Sequence, residues 1–212
     1  MIIFLPLFLV PAVIHESVSC LLYLLVLAEL IVHSSCRPVH GSSHCGLFGS
    51  MLHQVEQLMD LAKTMHDLTD DELVHLAHLD HRLDSLPHIE YTAAHFSTMK
   101  LNKSLAQMYE YTQSFKLHVS WMKTAQENFS LSLQAVESSS RHLHHLSNLI
   151  KTSLQQITEE VPQSSPPSFP VISTAFDALR HSLEISERLE AFCIWSKRVL
   201  RHFQRHSRCP RN

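Results

Sequence analysis

Glycine is nearly missing from this chain. Three occur among 212 residues, at Gly41, Gly46 and Gly49. A phosphate-cradling loop, a dinucleotide-binding turn and a nucleophile elbow each need glycines at fixed spacings, and none can be drawn beyond residue 49. All three glycines read as lying ahead of the first helix of the main domain. Basic residues are absent from the start, with no Lys or Arg before Arg37. Charged residues make up only 17% of the chain and the formal net charge is −3, which gives no reason to expect a nucleic-acid partner. Runs of β-branched residues are few. Together with scarce glycine this points to an all-α chain. No nucleophile sits on a recognisable strained turn, and no oxyanion nest can be placed. The expectation is a protein that is not an enzyme and uses no cofactor.

The amino terminus is the most apolar part. Residues 2–14 and 18–32 are almost wholly apolar, interrupted by His15 and Glu16. This reads as a secretory signal over residues 1–34, with a boundary that could extend to 41, followed by one domain over 35–212. The rival is a membrane anchor, because the apolar region is long for a signal. Glu29 within the second run weighs against a stable span. After signal removal no membrane association is expected, and the product is secreted.

Cleavage near residue 35 removes Cys20 and leaves Cys36, Cys45, Cys193 and Cys209. An even number suits an oxidising compartment, and three pairings are open. Alternatively Cys193, beside Phe192 on an apolar stripe, is a buried free thiol.

Helical periodicity defines four long segments. The first covers about Ser50 to Leu68, with Met51, Leu52, Val55, Leu58, Met59, Ala62 and Met65 on its stripe. Thr69 and Glu72 then form a capping box that opens a short helix through Leu73, Val74, Ala77 and Leu79, ended by Pro87. The second long helix covers about Leu101 to Lys123, with Leu105, Met108, Tyr109, Phe115, Val119 and Met122 inward. The third covers about Leu131 to Glu159, with Leu133, Val136, Leu143, Leu146, Ile150, Leu154 and Ile157. The fourth runs from Val171 to His206, with Ile172, Ala175, Phe176, Leu179, Leu183, Leu189, Phe192, Val199, Leu200 and Phe203. Asp177 near its start and Lys197, Arg198, Arg201 and Arg205 near its end suit the helix dipole.

Connection lengths give the topology. The second and third helices are joined by a short link, AQENFS, too short to retrace a helix of roughly 38 Å, so they run antiparallel. The first link is about 30 residues, ample for a crossover. The linker carrying Pro162, Pro166, Pro167 and Pro170 reaches roughly 37 Å if extended. The expected fold is a long-chain four-helix bundle, up-up-down-down with two long crossover loops, the arrangement of the growth-hormone-like cytokines.

Histidine is abundant. His75, His78 and His81 repeat every three residues, and His142, His144 and His145 cluster on the third helix. Such spacing can present two imidazoles to one metal. No Cys or carboxylate completes a ligand set, so these read as solvated polar faces and no metal is expected. Asn102-Lys103-Ser104 and Asn128-Phe129-Ser130 are N-glycosylation acceptors in a secreted chain, Asn128 lying in the short link. Trp121 and Trp195 read as core or core-edge. Phe169 sits in the prolyl linker outside any helical stripe, either as an anchor for a partner or as a plug over the end of the core.

Several stretches, in order, resemble one family. HRLDSLP, with Asp84, Ser85, Leu86 and Pro87, resembles the LDSLP segment in the first long loop of the interleukin-11 family. SFKLHVSWMK, residues 114–123, is similar to its second-helix segment, VPQSSPPSFP to its proline-rich loop, and FCIWSKRVL, residues 192–200, to the last helix of fish-type members. The resemblance implies a secreted four-helix cytokine that binds an interleukin-11 receptor α-like chain, then recruits glycoprotein 130 and activates JAK/STAT signalling. It implies an α-receptor surface from the end of the last helix and the first long loop, here Arg198, Arg201 and Arg205 with Leu86. It implies a second surface on the first and third helices. It implies a third, for glycoprotein 130, centred on Phe169, where the family commonly has Trp. A sister cytokine of leukaemia-inhibitory or ciliary-neurotrophic type would share the fold. A lipid-binding amphipathic helical carrier would show similar stripes.

Overall fold

The computed structural model describes residues 40–66, 68–69, 71–73, 83–89, 98–157, 160–163, 167–207 and 209. The signal region with Cys20, Cys36, the His75/His78/His81 repeat, Pro166 and the short helix beyond Leu73 lie outside the described residues. Four α-helices are defined: α1 (His40–Ala62), α2 (Leu101–Asn128), α3 (Gln134–Gln156) and α4 (Ala175–His206).

Side-chain pairings fix the direction of each helix. From α2 to α4, Gln126 meets Ser182 while Phe115 meets Phe192 and Tyr111 meets Trp195. The numbers run oppositely, so the two helices are antiparallel. The same holds for α1 and α4, where Ser182 bonds Met65 just beyond α1, Lys197 pairs with Glu56, and Cys209 is joined to Cys45. Lys123 with Glu137 and Gln113 with Ser147 make α2 and α3 antiparallel. Hence α1 and α2 point one way and α3 and α4 the other, the up-up-down-down bundle expected from the loop lengths.

The core draws on all four stripes. Phe48, Met51, Val55, Leu58, Leu105, Met108, Phe115, Val119, Leu143, Leu146, Ile150, Ile185, Leu189, Phe192 and Trp195 are all buried. Each such side chain contributes roughly 1.5–3 kcal/mol by leaving water. Most helix boundaries shift by a few residues from expectation, and two of the starts carry a physical lesson. The first helix begins by His40 and takes the glycines inside it. Glycine disfavours a helix interior by about 1 kcal/mol, but Phe48 lies between Gly46 and Gly49 and is fully buried. Its transfer from water outweighs the backbone penalty. The last helix begins at Ala175 rather than Val171. Thr174 caps it by accepting the Asp177 N–H at 3.0 Å and donating its hydroxyl to the Asp177 carboxylate at 2.7 Å. That start places Phe176 outside the buried stripe, where it is 51% exposed, and gives its place to Ala178.

Helix ends are satisfied by long-range partners. The carbonyl of Ala62 accepts the Ser186 hydroxyl, and that of Met65 accepts from Ser182 (3.0 Å) and Gln126 (3.4 Å). Side chains of α4 and α2 therefore add to the local turn bonds that close α1. Thr69 and Glu72 form the capping box, the Glu72 carboxylate accepting both the Thr69 N–H and its hydroxyl at 2.8 Å. At the end of α2, the Leu131 N–H bonds the Gln126 carbonyl and the Ser130 N–H bonds that of Glu127. Ser130 has φ 55°. This is the Schellman closure, with serine in the left-handed position that glycine usually fills.

Four cysteines left three pairings open, and the structure joins Cys45 to Cys209 with Cα atoms 5.4 Å apart. Cys193 is a buried free thiol. Burial, with a smaller contribution from Glu190, pushes its pKa far above the ordinary thiol range, so it is inert as a nucleophile.

Glycine thus occurs where the helix has no use for it and is missing where the turn would take it. A Cβ added at Gly46 or Gly49 meets nothing within 4 Å. Gly46→Ala and Ser130→Gly should each raise the unfolding free energy by about 0.5–1 kcal/mol. Urea denaturation of unglycosylated protein checks this, and a loss of stability at either position would show that the local backbone reading is wrong.

Candidate functional site

Both long crossovers lodge against one side chain of α2. His118 is buried at 0% exposure. Its Nδ1–H donates to the Ser114 carbonyl at 2.8 Å, which leaves Nε2 to accept the Ser85 hydroxyl at 2.9 Å. The Ser114 hydroxyl donates to the Ser85 carbonyl at 3.2 Å. Ser85 belongs to the first crossover. From the second crossover, Phe169 packs edge-on to the His118 ring at 5.1 Å and stacks on Trp121 at 5.0 Å, with 13° between planes. Trp121 in turn meets His181 of α4 at 5.5 Å. Burial holds the His118 pKa below the usual imidazole range, only partly offset by the Ser114 carbonyl. The ring is therefore neutral at physiological pH.

The first crossover is also tied to α4. The Leu83 N–H donates to the Glu184 carboxylate at 2.8 Å, Arg188 lies 3.7 Å from the same oxygen, and Arg188 approaches His88 at 3.2 Å. Glu184 is almost fully buried. Burial raises its pKa, against the Leu83 N–H and Arg188, which lower it. Leu86 is 4% exposed and part of the core. Its side chain is an anchor that seats the loop, so the surface near it comes from exposed Asp84 and His88 instead. The segment lies at the level of Glu184 and Arg188, roughly 20–25 Å along α4 from Arg201. The structure does not bring Leu86 together with the terminal arginines.

Those arginines form a separate place. Arg198, Arg201 and Arg205 are all exposed, and their i, i+3, i+7 spacing puts them on one face of α4. Glu56 of α1 flanks that face, 2.8 Å from Lys197 and 3.3 Å from Arg201. The Lys197 hydrogen bond and the two cations hold its carboxyl below the usual range. His202 and His206 pack on the same end with ring centroids 4.1 Å apart and planes tilted by 35°. The pKa of His202 is lowered, first by burial, then by His206 and Arg205.

The opposite end of α4 is apolar. Val171 is 91% exposed and Phe176 half-exposed, while Phe169 is only partly exposed. On the face shared by α1 and α3, His142 bonds Gln54 at 2.8 Å, and His53, His144 and His145 are exposed. Among the described residues no group of His, Cys, Asp and Glu could hold a metal ion, and no helix is long and apolar enough to cross a membrane. Asn128 is the exposed last residue of α2 rather than part of the link, and Asn102 is half-buried in its first turn.

Sequence reasoning missed His118 and Glu184. A polar residue on an apolar stripe was the available signal for both, since each falls in the helical register of core neighbours.

The junction makes a pH-dependent contribution to stability. An unfolded histidine titrates near 6.5, but the folded ring resists the proton. The contribution is complete above that value and declines as pH falls below it. His118→Phe keeps a ring and removes the titration. The difference in unfolding free energy between wild type and this variant should shrink as pH falls from 7.5 to 5.5, up to a ceiling of about 1.4 kcal/mol set by the unfolded pKa. A difference that stays flat would mean that the folded imidazole is solvated.

Comparison with curated proteins yields no match to this chain. Among protein families, the model described as interleukin 11 matches residues 38–207, which takes in all four helices and both crossovers. With the up-up-down-down bundle already established by its internal pairings, the chain belongs to the interleukin-11 family of helical cytokines.

Proposed function

We propose that the protein is a secreted cytokine that binds an interleukin-11 receptor α-like chain and recruits glycoprotein 130, with JAK/STAT activation as the output. One observation carries this reading. The two most distinctive exposed places, the arginine face and the Val171/Phe176 apolar place, sit at opposite ends of α4, with Phe176 roughly 38 Å from Arg201. A rigid helix that presents two unlike patches so far apart can hold two receptors without their competing for one surface. Receptor proximity is then the signal.

In this reading Arg198, Arg201 and Arg205 face the α-receptor, with Leu86 contributing by seating the first crossover. Arginine suits such a face because its fork pairs bidentately with carboxylates. Such charges mainly set encounter rate and register. Phe169 belongs to the glycoprotein 130 surface, where its stack on Trp121 fixes the approach to α4. Val171 and Phe176 supply the exposed apolar area beside it, and buried aromatics of this kind commonly dominate affinity. The exposed face of α1 and α3 offers the second surface. The leader over residues 1–34, extending at most to 41, directs export, and Asn128 and then Asn102 are the acceptors for N-linked glycan.

A lipid carrier fits less well. Its helices would open onto lipid, whereas here the four stripes are buried against one another. Among the described residues the exposed large apolar side chains are Leu117, Val171 and Phe176.

The test is binding of the chain from residue 35 onward to the interleukin-11 α-receptor ectodomain, with and without glycoprotein 130. Stable ternary assembly supports the reading, and a folded chain that binds only another α-receptor would favour the leukaemia-inhibitory or ciliary-neurotrophic type. Two variants separate the surfaces. Phe176→Ala should retain helicity and α-receptor affinity but weaken ternary assembly by about tenfold or more, as for an aromatic anchor worth 1.4 kcal/mol or above. Arg201→Glu should weaken α-receptor binding by about tenfold, and unchanged affinity would remove Arg201 from that surface.

A further inference from the structure

The charges of this chain are separated to a degree that pairwise receptor contacts do not require. Residues 191–212 carry six of the 17 Lys and Arg and none of the 20 Asp and Glu. The segment is thus +6 and the other 190 residues are −9. Five of the six are arginines: Arg198, Arg201, Arg205, Arg208 and Arg211. The last two lie outside the described residues. Arg198, Arg201 and Arg205 follow one face of α4 over roughly 10 Å, and His202 at i+4 from Arg198 joins them. Val199, Leu200 and Phe203 turn to the core behind this face. Glu56 is bonded at its flank, through Lys197 and Arg201.

We infer that the arginine face at the end of α4 binds a sulfated polysaccharide of the heparan type, which lies along the helix axis. The proposal rests on the secreted reading for its setting. Three features point to this occupant. Guanidinium forks recognise oxyanions bidentately, and arginine rather than lysine dominates here. The remainder of the chain is acidic, so a long polyanion is attracted to this end and repelled elsewhere, which orients it. Among the described residues no exposed large apolar side chain lies near this end, so there is no wedge for insertion into an anionic membrane.

The full chain from residue 35 onward, applied to immobilised heparin, is expected to stay bound at physiological salt. In titration with a defined heparin oligosaccharide, the logarithm of affinity should fall linearly with the logarithm of salt concentration. Arg198→Gln and Arg205→Gln should each lower that slope by about 1 and shift elution to lower salt. Lys63→Gln, exposed at the far end of α1, should change neither, and an unsulfated acidic polysaccharide should not be retained. Circular dichroism confirms that the variants keep their helices. Elution below physiological salt, or slopes unchanged in both arginine variants, would overturn the proposal. Equal retention of the unsulfated polymer would overturn the assignment to sulfate. α-Receptor binding is measured on the same samples without polysaccharide. Charge-dependent receptor binding with no heparin retention would overturn this proposal and leave the receptor reading standing, while heparin binding without receptor binding would do the reverse.

Discussion

Two helices that point the same way can be joined only by chain that travels the length of the bundle. This fold contains two such joins, and both are held on the imidazole of His118. Ser85 from the first crossover reaches its Nε2, and Phe169 from the second packs on its ring. A long connection has little helical or sheet bonding of its own, so its position depends on a few deep contacts. Here one buried, neutral ring supplies a hydrogen-bond acceptor to one strand and an aromatic surface to the other. The surfaces proposed for recognition begin where these crossovers stop, at the start of α4 and around Asp84 and His88. The junction therefore sets the geometry of those surfaces through His118, a ring that is itself fully buried.

The polar interior follows the same logic. Ser182, Ser186 and Gln126 are buried, yet they are not isolated polar groups in an apolar core. They donate to the carbonyls of Ala62 and Met65, where α1 runs out of helical partners of its own. A cap from distant residues makes the end of α1 conditional on the docking of α4 and α2, so helix length and tertiary packing form together. Glu184 plays the matching part for the first crossover, accepting the Leu83 N–H at the cost of an ionisable group held away from water.

Much of the architecture was legible in periodicity and loop length. The four stripes, the capping box at Thr69 and Glu72, and the parallel pairs all follow from local rules that tertiary structure left in force. The misreadings share a cause. Gly46 and Gly49 suggest a break, but burial of Phe48 between them decides in favour of helix. Phe176 fits an apolar period counted from Ile172, but the Thr174 cap starts α4 later and turns that ring outward. Leu86 belongs to a recognisable loop motif, and a motif does not say which of its side chains faces the core. His118 and Glu184 were hidden because a single polar residue on an apolar stripe can be buried and satisfied only by partners far away in sequence. Apart from the Thr174 cap, which is local, the deciding interactions are long-range, and spacing along the chain carries no record of them.

The Cys45–Cys209 bridge has a consequence for how the molecule responds to proteolysis. It closes a covalent ring across a separation of 164 residues that contains most of α1 and all of α2, α3 and α4. A protease that cuts either crossover opens the ring without dividing it. The two pieces stay one molecule, with the basic end of α4 still fastened to the start of α1. A single nick would then alter the surface near the cut while the two ends of the bundle remain in register, and dismantling the whole would take a second cut or reduction of the bridge.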